Sequence, residues 1–347
     1  EDLSIYPFEK LVSKESKYLN WLKEFNFNPL PSNLSFSGNF FRSLYTQKFR
    51  EINYSGVNSN SQIPIPELSQ KKFLFDWRLS LSQNLTKSIR VNYNASNSNI
   101  VPSIDGKQSD LNSSDMGIFD NFFNIGDPDY FNQNFSINYS LPFNLIPFLN
   151  FIDGSYNYSG DFNWQRGSDM LNNISSETGE VLGRVNTIQN ANTQNLSLSL
   201  NFDKIYRTIP WLNKNEFIIS DLIKSLKRVR FNYSENSGKV LPGYIPSIGF
   251  LGTARPSIGF VFGNQSDIRY EAAKNGWLTD FPNFNQPFQQ IFNSDFDFSG
   301  ELELFNSIRI DLNANRRYSN NFSENFSVIN NTYSALNPNY YGNFSIS

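Results

Sequence analysis

Between residues 295 and 315 the chain repeats with a period of two. Phe296, Phe298, Gly300, Leu302 and Leu304 are separated by Asp295, Asp297, Ser299, Glu301 and Glu303. After Phe305-Asn306-Ser307 the pattern resumes, with Ile308, Ile310, Leu312 and Ala314 alternating with Arg309, Asp311, Asn313 and Asn315. Successive side chains of a strand point to opposite faces, so this is a hairpin with one apolar and one charged face. Its register follows, because a one-residue slip would turn every side chain over. Leu304 belongs opposite Ile308, Leu302 opposite Ile310 and Glu303 opposite Arg309, an opposite-charge pair worth roughly 0.2–1 kcal/mol. Glu301 then meets the like charge of Asp311, which is tolerable where water is plentiful, so the charged face is expected to be solvated.

The signature recurs. Phe73, Phe75, Trp77, Leu79 and Leu81 alternate with Leu74, Asp76, Arg78, Ser80 and Ser82, and Ile89, Val91, Tyr93 and Ala95 follow the turn at Gln83 to Lys87. The longest run is Ile152, Gly154, Tyr156, Tyr158, Gly160, Phe162 and Trp164; shorter ones are Leu34 to Phe40, Phe135 to Leu141, Leu196 to Phe202 and Val229 to Tyr233, with a last start at Gly342, Phe344 and Ile346. These predict ten strands of about 8–13 residues, near the ~9–11 that a tilted membrane strand needs. Short or compact links are expected near 83–87, 142–150, 203–226 and 305–307, and long polar ones near 46–70, 97–130, 165–191, 238–292 and 319–339. Short links on one side and long on the other suit an antiparallel transmembrane β-barrel. A soluble up-and-down barrel would turn its apolar face inward and carry more even loops.

Composition removes most alternatives. The 347 residues include 34 Phe, 17 Tyr and 5 Trp but no Cys and no His, so there is no thiol nucleophile, Ser-His triad, disulfide frame or common zinc set. A net charge of −3 argues against a nucleic-acid binder. No apolar run is long enough for a membrane-spanning helix, and Glu1 opens without the regions of a signal peptide. The acids at 295, 297, 301 and 303 resemble a glycosidase pair only superficially, since they alternate strictly with apolar residues. Asp105, Asp110 and Asp115 do not match the spacing of a calcium loop. Asn-x-Ser sequons such as those at Asn134, Asn157 and Asn343 arise from the alternation itself. The chain is therefore expected to be no enzyme and to need no cofactor or metal. Asp295, Asp297, Glu301, Glu303, Arg309, Asp311, Asp76 and Arg78 are predicted to face a wet lumen. Phe296, Phe298, Leu302, Leu304, Ile308, Ile310, Phe73, Phe75, Trp77, Tyr156, Tyr158 and Phe162 are predicted to face lipid.

Helical spacing of Phe8, Leu11, Val12, Tyr18, Leu19, Leu22 and Phe25, ended by Pro29 and Pro31, predicts a helical lead-in over 1–31 before a barrel segment over 32–347. A second helix is expected over Asp267 to Lys274, capped by Ser266 or Asp267 and stopped at Gly276. Ser347 falls where a tenth strand has scarcely begun, which suggests an arc of a larger barrel rather than ten strands closed on themselves.

Two stretches resemble a known family. They are Lys17-Tyr-Leu-Asn-Trp-Leu-Lys-Glu-Phe-Asn-Phe-Asn-Pro-Leu-Pro-Ser-Asn-Leu-Ser-Phe36 and Ser237-Gly-Lys-Val-Leu-Pro-Gly-Tyr-Ile-Pro-Ser-Ile-Gly-Phe-Leu-Gly252, the latter followed by Asp267-Ile-Arg-Tyr-Glu-Ala-Ala-Lys-Asn-Gly-Trp-Leu278. Both are similar to the SprA/Sov family, the giant outer-membrane translocons of the type IX secretion system in Bacteroidetes, linked to gliding motility in gliding species. The resemblance implies a single-chain barrel several times longer than this chain, with a water-filled pore for folded cargo. It also implies a partner protein at a lateral gate, a plug protein at the periplasmic end, and the remaining segments of the same barrel as neighbours. A smaller closed uptake porin and a surface-anchored β-rich adhesin are the rival expectations.

Within the long link the pentapeptide Pro-Ser-Ile-Gly-Phe occurs at 246–250 and again at 256–260. No Gly-Lys-Ser/Thr follows, so it is no phosphate loop. Ile248, Gly249, Phe250, Ile258, Gly259 and Phe260 are the expected anchors of two extended arms turned at Thr253-Ala254-Arg255. Those arms are expected to fold into or over a pore mouth, or against a partner.

Overall fold

The computed structural model describes residues 5–7, 26–48, 68–100, 126–146, 149–168, 184–208, 224–282, 284–304 and 308–347. Ten strands form one antiparallel sheet whose spatial order is the order of the chain. They are β1 (Asn33–Gln47), β2 (Leu68–Asn84), β3 (Ile89–Ile100), β4 (Asp127–Leu141), β5 (Ile152–Gln165), β6 (Asn186–Asn201), β7 (Leu226–Tyr244), β8 (Phe288–Leu304), β9 (Ile308–Ile329) and β10 (Thr332–Ile346). Among the described residues β1 pairs only with β2 and β10 only with β9, so these ten strands do not close on themselves.

The predicted hairpin is present in the predicted register: Leu304 lies opposite Ile308, Leu302 opposite Ile310, Glu303 opposite Arg309 and Glu301 opposite Asp311. Most strands are longer than the alternation suggested, reaching 19 residues in β7 and 22 in β9. The reason is visible in β7. Asn236 to Tyr244 continues the ladder against β6, although Lys239 interrupts the apolar series and Pro242 and Gly243 look like loop residues. The long link is therefore 245–287.

Two expectations at the end of the chain are corrected. The long polar link near 319–339 does not exist; β9 runs to Ile329 and a two-residue turn leads into β10. Asn330 and Asn331 both have positive φ (51° and 59°), the geometry that a two-residue hairpin turn requires and that asparagine tolerates. The tenth strand is accordingly a full 15 residues and not a beginning.

The helical lead-in predicted over 8–25 and the acidic loop at Asp105, Asp110 and Asp115 lie outside the described residues. What is described of the lead-in sits at the β2–β3 turn. Ile5 and Phe27 exchange backbone hydrogen bonds of 2.8 Å, the Asn28 N–H donates to Leu85 O (2.9 Å) and the Lys87 N–H donates to Asn26 Oδ1 (2.8 Å). A short helix, α1 (Phe202–Thr208), follows β6 on the same short-link side. Two more interrupt the long link: α2 (Ile258–Val261) and α3 (Arg269–Lys274).

Helix α3 confirms the predicted stop. Gly276 has φ 68° and its N–H closes onto Ala273 O at 3.0 Å. Its start is two residues late, because Asp267 spends its carboxylate on the Arg269 N–H (3.1 Å) and guanidinium and leaves Ile268 as the N-cap, without a side-chain cap.

The expected pair of extended arms is also corrected. In the first Pro-Ser-Ile-Gly-Phe the backbone is extended into a tight turn closed by mutual Gly249–Gly252 hydrogen bonds of 3.0 and 3.1 Å. In the second, the Ser257 side chain accepts the Phe260 N–H at 3.1 Å and caps α2. Ile248 is buried whereas Ile258, its counterpart, is 66% exposed.

Candidate functional site

Register rows assign every strand residue to one of two faces. One face is polar from β2 to β9. Ser80 and Ser82 donate to Asn94 (2.7 Å) and Asn92 (2.8 Å), Asn92 reaches Ser136 (3.2 Å), and Asn134 reaches Ser159 (3.0 Å) and Asp161 (2.7 Å). Thr193 bonds Asn236 at 2.8 Å. The residues predicted to line a lumen all lie on this face. Asp76 accepts from Ser98 at 2.6 Å, Arg78 is exposed, Asp297 accepts from Asn315, and Asp295 pairs with Arg317 at 3.5 Å.

The charge pairing differs from the direct cross-strand expectation. Arg309, opposite Glu303, turns its guanidinium to Glu301 (3.1 Å) and Asp311 (3.3 Å), while Glu303 takes Lys227 of β7 at 3.8 Å. Placing one cation between Glu301 and Asp311 relieves the like-charge contact that the register creates, which favours the diagonal over the straight pair.

The other face is apolar, and it divides into two parts. Phe231, Phe296, Phe298, Leu302, Leu304, Ile308 and Ile310 occupy its uncovered part on β7 to β9, with Tyr156 on β5. On the long-link side of β2 to β6 the same face is roofed by residues 245–287. Phe75, Trp77 and Phe162, three residues predicted to face lipid, are 5%, 1% and 0% exposed beneath this roof. Phe73, on the same face, is half-buried and packs on Phe40 with ring centroids 6.0 Å apart. Phe250 stacks on Phe75 (6.4 Å) and lies tilted against Trp77 (5.3 Å), and Phe260 meets Phe162 edge-on at 6.2 Å. Tyr158 donates its hydroxyl to Phe262 O at 2.7 Å. The loop thus packs on the apolar face and not on the polar one, because only the apolar face offers its Ile and Phe side chains a dry surface.

Where the loop covers the apolar face, several polar residues enter it and bond loop backbone. Gln133 donates to Val261 O (2.8 Å), Asn190 to Phe260 O (3.2 Å) and Asn264 O (2.8 Å), Asn192 to Gly263 O (2.9 Å) and Asn186 to Ile245 O (3.1 Å). Trp164 Nε1 donates to Pro246 O at 3.1 Å. These bonds satisfy carbonyls that an irregular loop would otherwise bury bare. The approach is close enough to exclude side chains at the contact: a Cβ on Gly160 would collide with the Phe262 carbonyl, and Gly263, at φ 93°, sits against Gly160 Cα.

Charge locks the far end of the loop. Lys239 of β7 donates to the Gln265 and Ser266 carbonyls, the latter at 2.9 Å. Arg269 pairs with the buried Glu324 of β9, holds Asp267 at 2.7 Å, and lies over the Phe288 ring at 4.6 Å. Tyr333 donates to the same Glu324 oxygen at 2.7 Å. Burial pushes the Asp267 carboxyl up, but the hydrogen bonds and charge of Arg269 outweigh it and hold the group below the ordinary carboxylate range. Burial likewise opposes the charge on Arg269, and its two carboxylate partners win.

Gln133, Asn186, Asn190, Asn192, Lys239, Arg269 and Glu324 were not legible as a group in the sequence. Their one signal is that five of them, Gln133, Asn190, Asn192, Lys239 and Glu324, sit at positions where the alternation calls for an apolar residue. Among the described residues no cluster of three or more His, Cys, Asp or Glu could hold a metal ion. No protein-family model and no curated protein matches the chain.

Proposed function

We propose that this sheet is a wall segment of an outer-membrane β-barrel and, following the resemblance of its sequence, of the protein-export pore of the type IX secretion system. The observation that carries the proposal is the pairing of two opposite surfaces on one meander: an uncovered band of Phe, Leu and Ile on β7 to β9, and behind it a face of Asn, Ser and ion-paired Asp, Glu and Arg. A strand in lipid needs apolar residues outward and tolerates polar ones toward water. The role of the chain is passive. The band holds the wall in the bilayer, the polar face wets a lumen through which folded cargo passes, and the long links form the extracellular side.

Among the described residues both edges of the sheet present unpaired backbone, which lipid does not tolerate. Phe40, Phe344 and Ile346 beside those edges are 64%, 54% and 69% exposed. The partners proposed for these edges are further strands of the same barrel; a gate protein and a periplasmic plug complete the assembly that the resemblance implies. The test is genetic and physical together. Cells lacking the segment should accumulate type IX cargo in the periplasm, and the protein should fractionate with the outer membrane. Normal secretion in the deletion strain would overturn the export role, and recovery in the soluble fraction would overturn the membrane wall.

A further inference from the structure

Along β5 the apolar-face positions run Ile152, Gly154, Tyr156, Tyr158, Gly160, Phe162 and Trp164, and the loop lies on the last four. The uncovered stretch from Ile152 to Tyr156 spans about 14 Å at ~3.4 Å per residue. On β8 the uncovered stretch from Phe296 to Leu304 spans about 27 Å. An outward apolar band in an outer-membrane barrel is ~25 Å tall, so β8 meets the requirement and β5 falls well short. The missing height on β5 is where the loop sits.

The outer surface of that part of the loop carries two large apolar side chains on either side of the exposed Arg255, which lies over the Trp277 ring at 5.8 Å. Leu251 and Ile258 are 64% and 66% exposed, and between them opens a groove of about 380 Å³ with Tyr93, Thr253, Ala254 and Phe262 along it. No charged side chain lines the groove. Gln133 at its floor is fully engaged, donating to Val261 O at 2.8 Å and accepting from the Tyr93 hydroxyl at 3.2 Å. A groove with no charged lining and with its buried amide engaged favours methylene over a charged headgroup.

We propose that Leu251 and Ile258 enter the outer margin of the bilayer, replacing the outward face of the strands beneath them, with the exposed Arg255 between them at headgroup level, and that the groove they flank holds an acyl chain of a membrane lipid. This rests on the membrane-wall reading above. Leu251 and Ile258, costly to expose to water, then have an apolar solvent.

Single cysteines test it, since these 347 residues contain none of their own. Nitroxide-labelled Leu251→Cys, Ile258→Cys, Phe298→Cys and Asn275→Cys are compared in the full-length protein in native outer-membrane vesicles, by collision with oxygen and with a water-soluble nickel chelate. The expected result is preferential oxygen access at 251, 258 and 298 and preferential nickel access at 275, with 251 and 258 shallower than 298. Oxygen preference at 298 with nickel preference at 251 and 258 overturns the embedding of the loop and leaves the membrane wall standing. Nickel preference at all four positions overturns both. Leu251→Asp and Ile258→Asp should leave the fold intact and lower the lipid retained by the purified protein; unchanged retention overturns the acyl-chain groove.

Discussion

The apolar face carries large aromatic and aliphatic side chains on both its covered and its uncovered parts, but they are held by different means. Under the loop, aromatic rings interlock with Phe250 and Phe260, and buried Asn and Gln side chains bind loop carbonyls one by one. On β7 to β9, Phe231 meets Phe296 and Phe298 across the strands, with ring centroids 6.4 and 5.3 Å apart. The first is a protein core, stabilised by shape and hydrogen bonding; the second depends on its solvent. A substitution should therefore have opposite consequences in the two places.

The sharpest separation comes from truncation in the core. Phe260→Ala leaves a cavity at a fully buried ring, and such losses cost about 3–5 kcal/mol. Limited proteolysis should then cut within 245–287 while the sheet persists. Phe298→Arg inverts the comparison: a charge on a lipid face costs about 2–4 kcal/mol near the bilayer midplane, so insertion should fail while the loop stays docked. Outer-membrane yield measures the first effect and protease resistance of 245–287 the second. Normal yield of Phe298→Arg would remove the lipid-facing assignment.

A smaller effect is expected from Asn190→Ala, which removes the amide bonded to the Phe260 and Asn264 carbonyls at a cost of about 0.5–1.5 kcal/mol per bond. Hydrogen exchange should quicken in α2 and not in β8. The smallest is a pH dependence. Asp267 has a lowered carboxyl pKa, so its contribution is complete above the unfolded value of ~3.9 and lost as pH falls through the lower folded value. Loop protection should thus be flat from neutral pH to about 5 and decline below about 4. A decline already at neutral pH would assign the lock to another group.

The sequence was most legible where structure is local. Alternation identified both faces and the register of β8 with β9, because side-chain parity is a property of each strand alone. It was least legible at the long-link ends. There Lys239 and Asn192 break the alternation yet continue the ladder, since the polar groups they carry answer a loop far along the chain. The hairpin turn at Asn330-Asn331 was missed for a different reason: a polar run of Asn and Ser resembles a loop until paired, and positive φ at two successive asparagines turns it into a tight return.

The two copies of Pro-Ser-Ile-Gly-Phe mark the boundary between what the chain encodes locally and what its fold decides. By itself the sequence determined that both copies are Gly-permissive and apolar, and that the strands around them have one apolar and one polar face. Only the tertiary structure decided that Ile248 is buried while Ile258 is exposed, and that one copy is extended while the other caps a helix. Five residues cannot specify their own burial. The aromatic surface of β2 to β5 and the carbonyl-seeking amides of β4 and β6 select, from conformations open to both copies, the one that each site can fill.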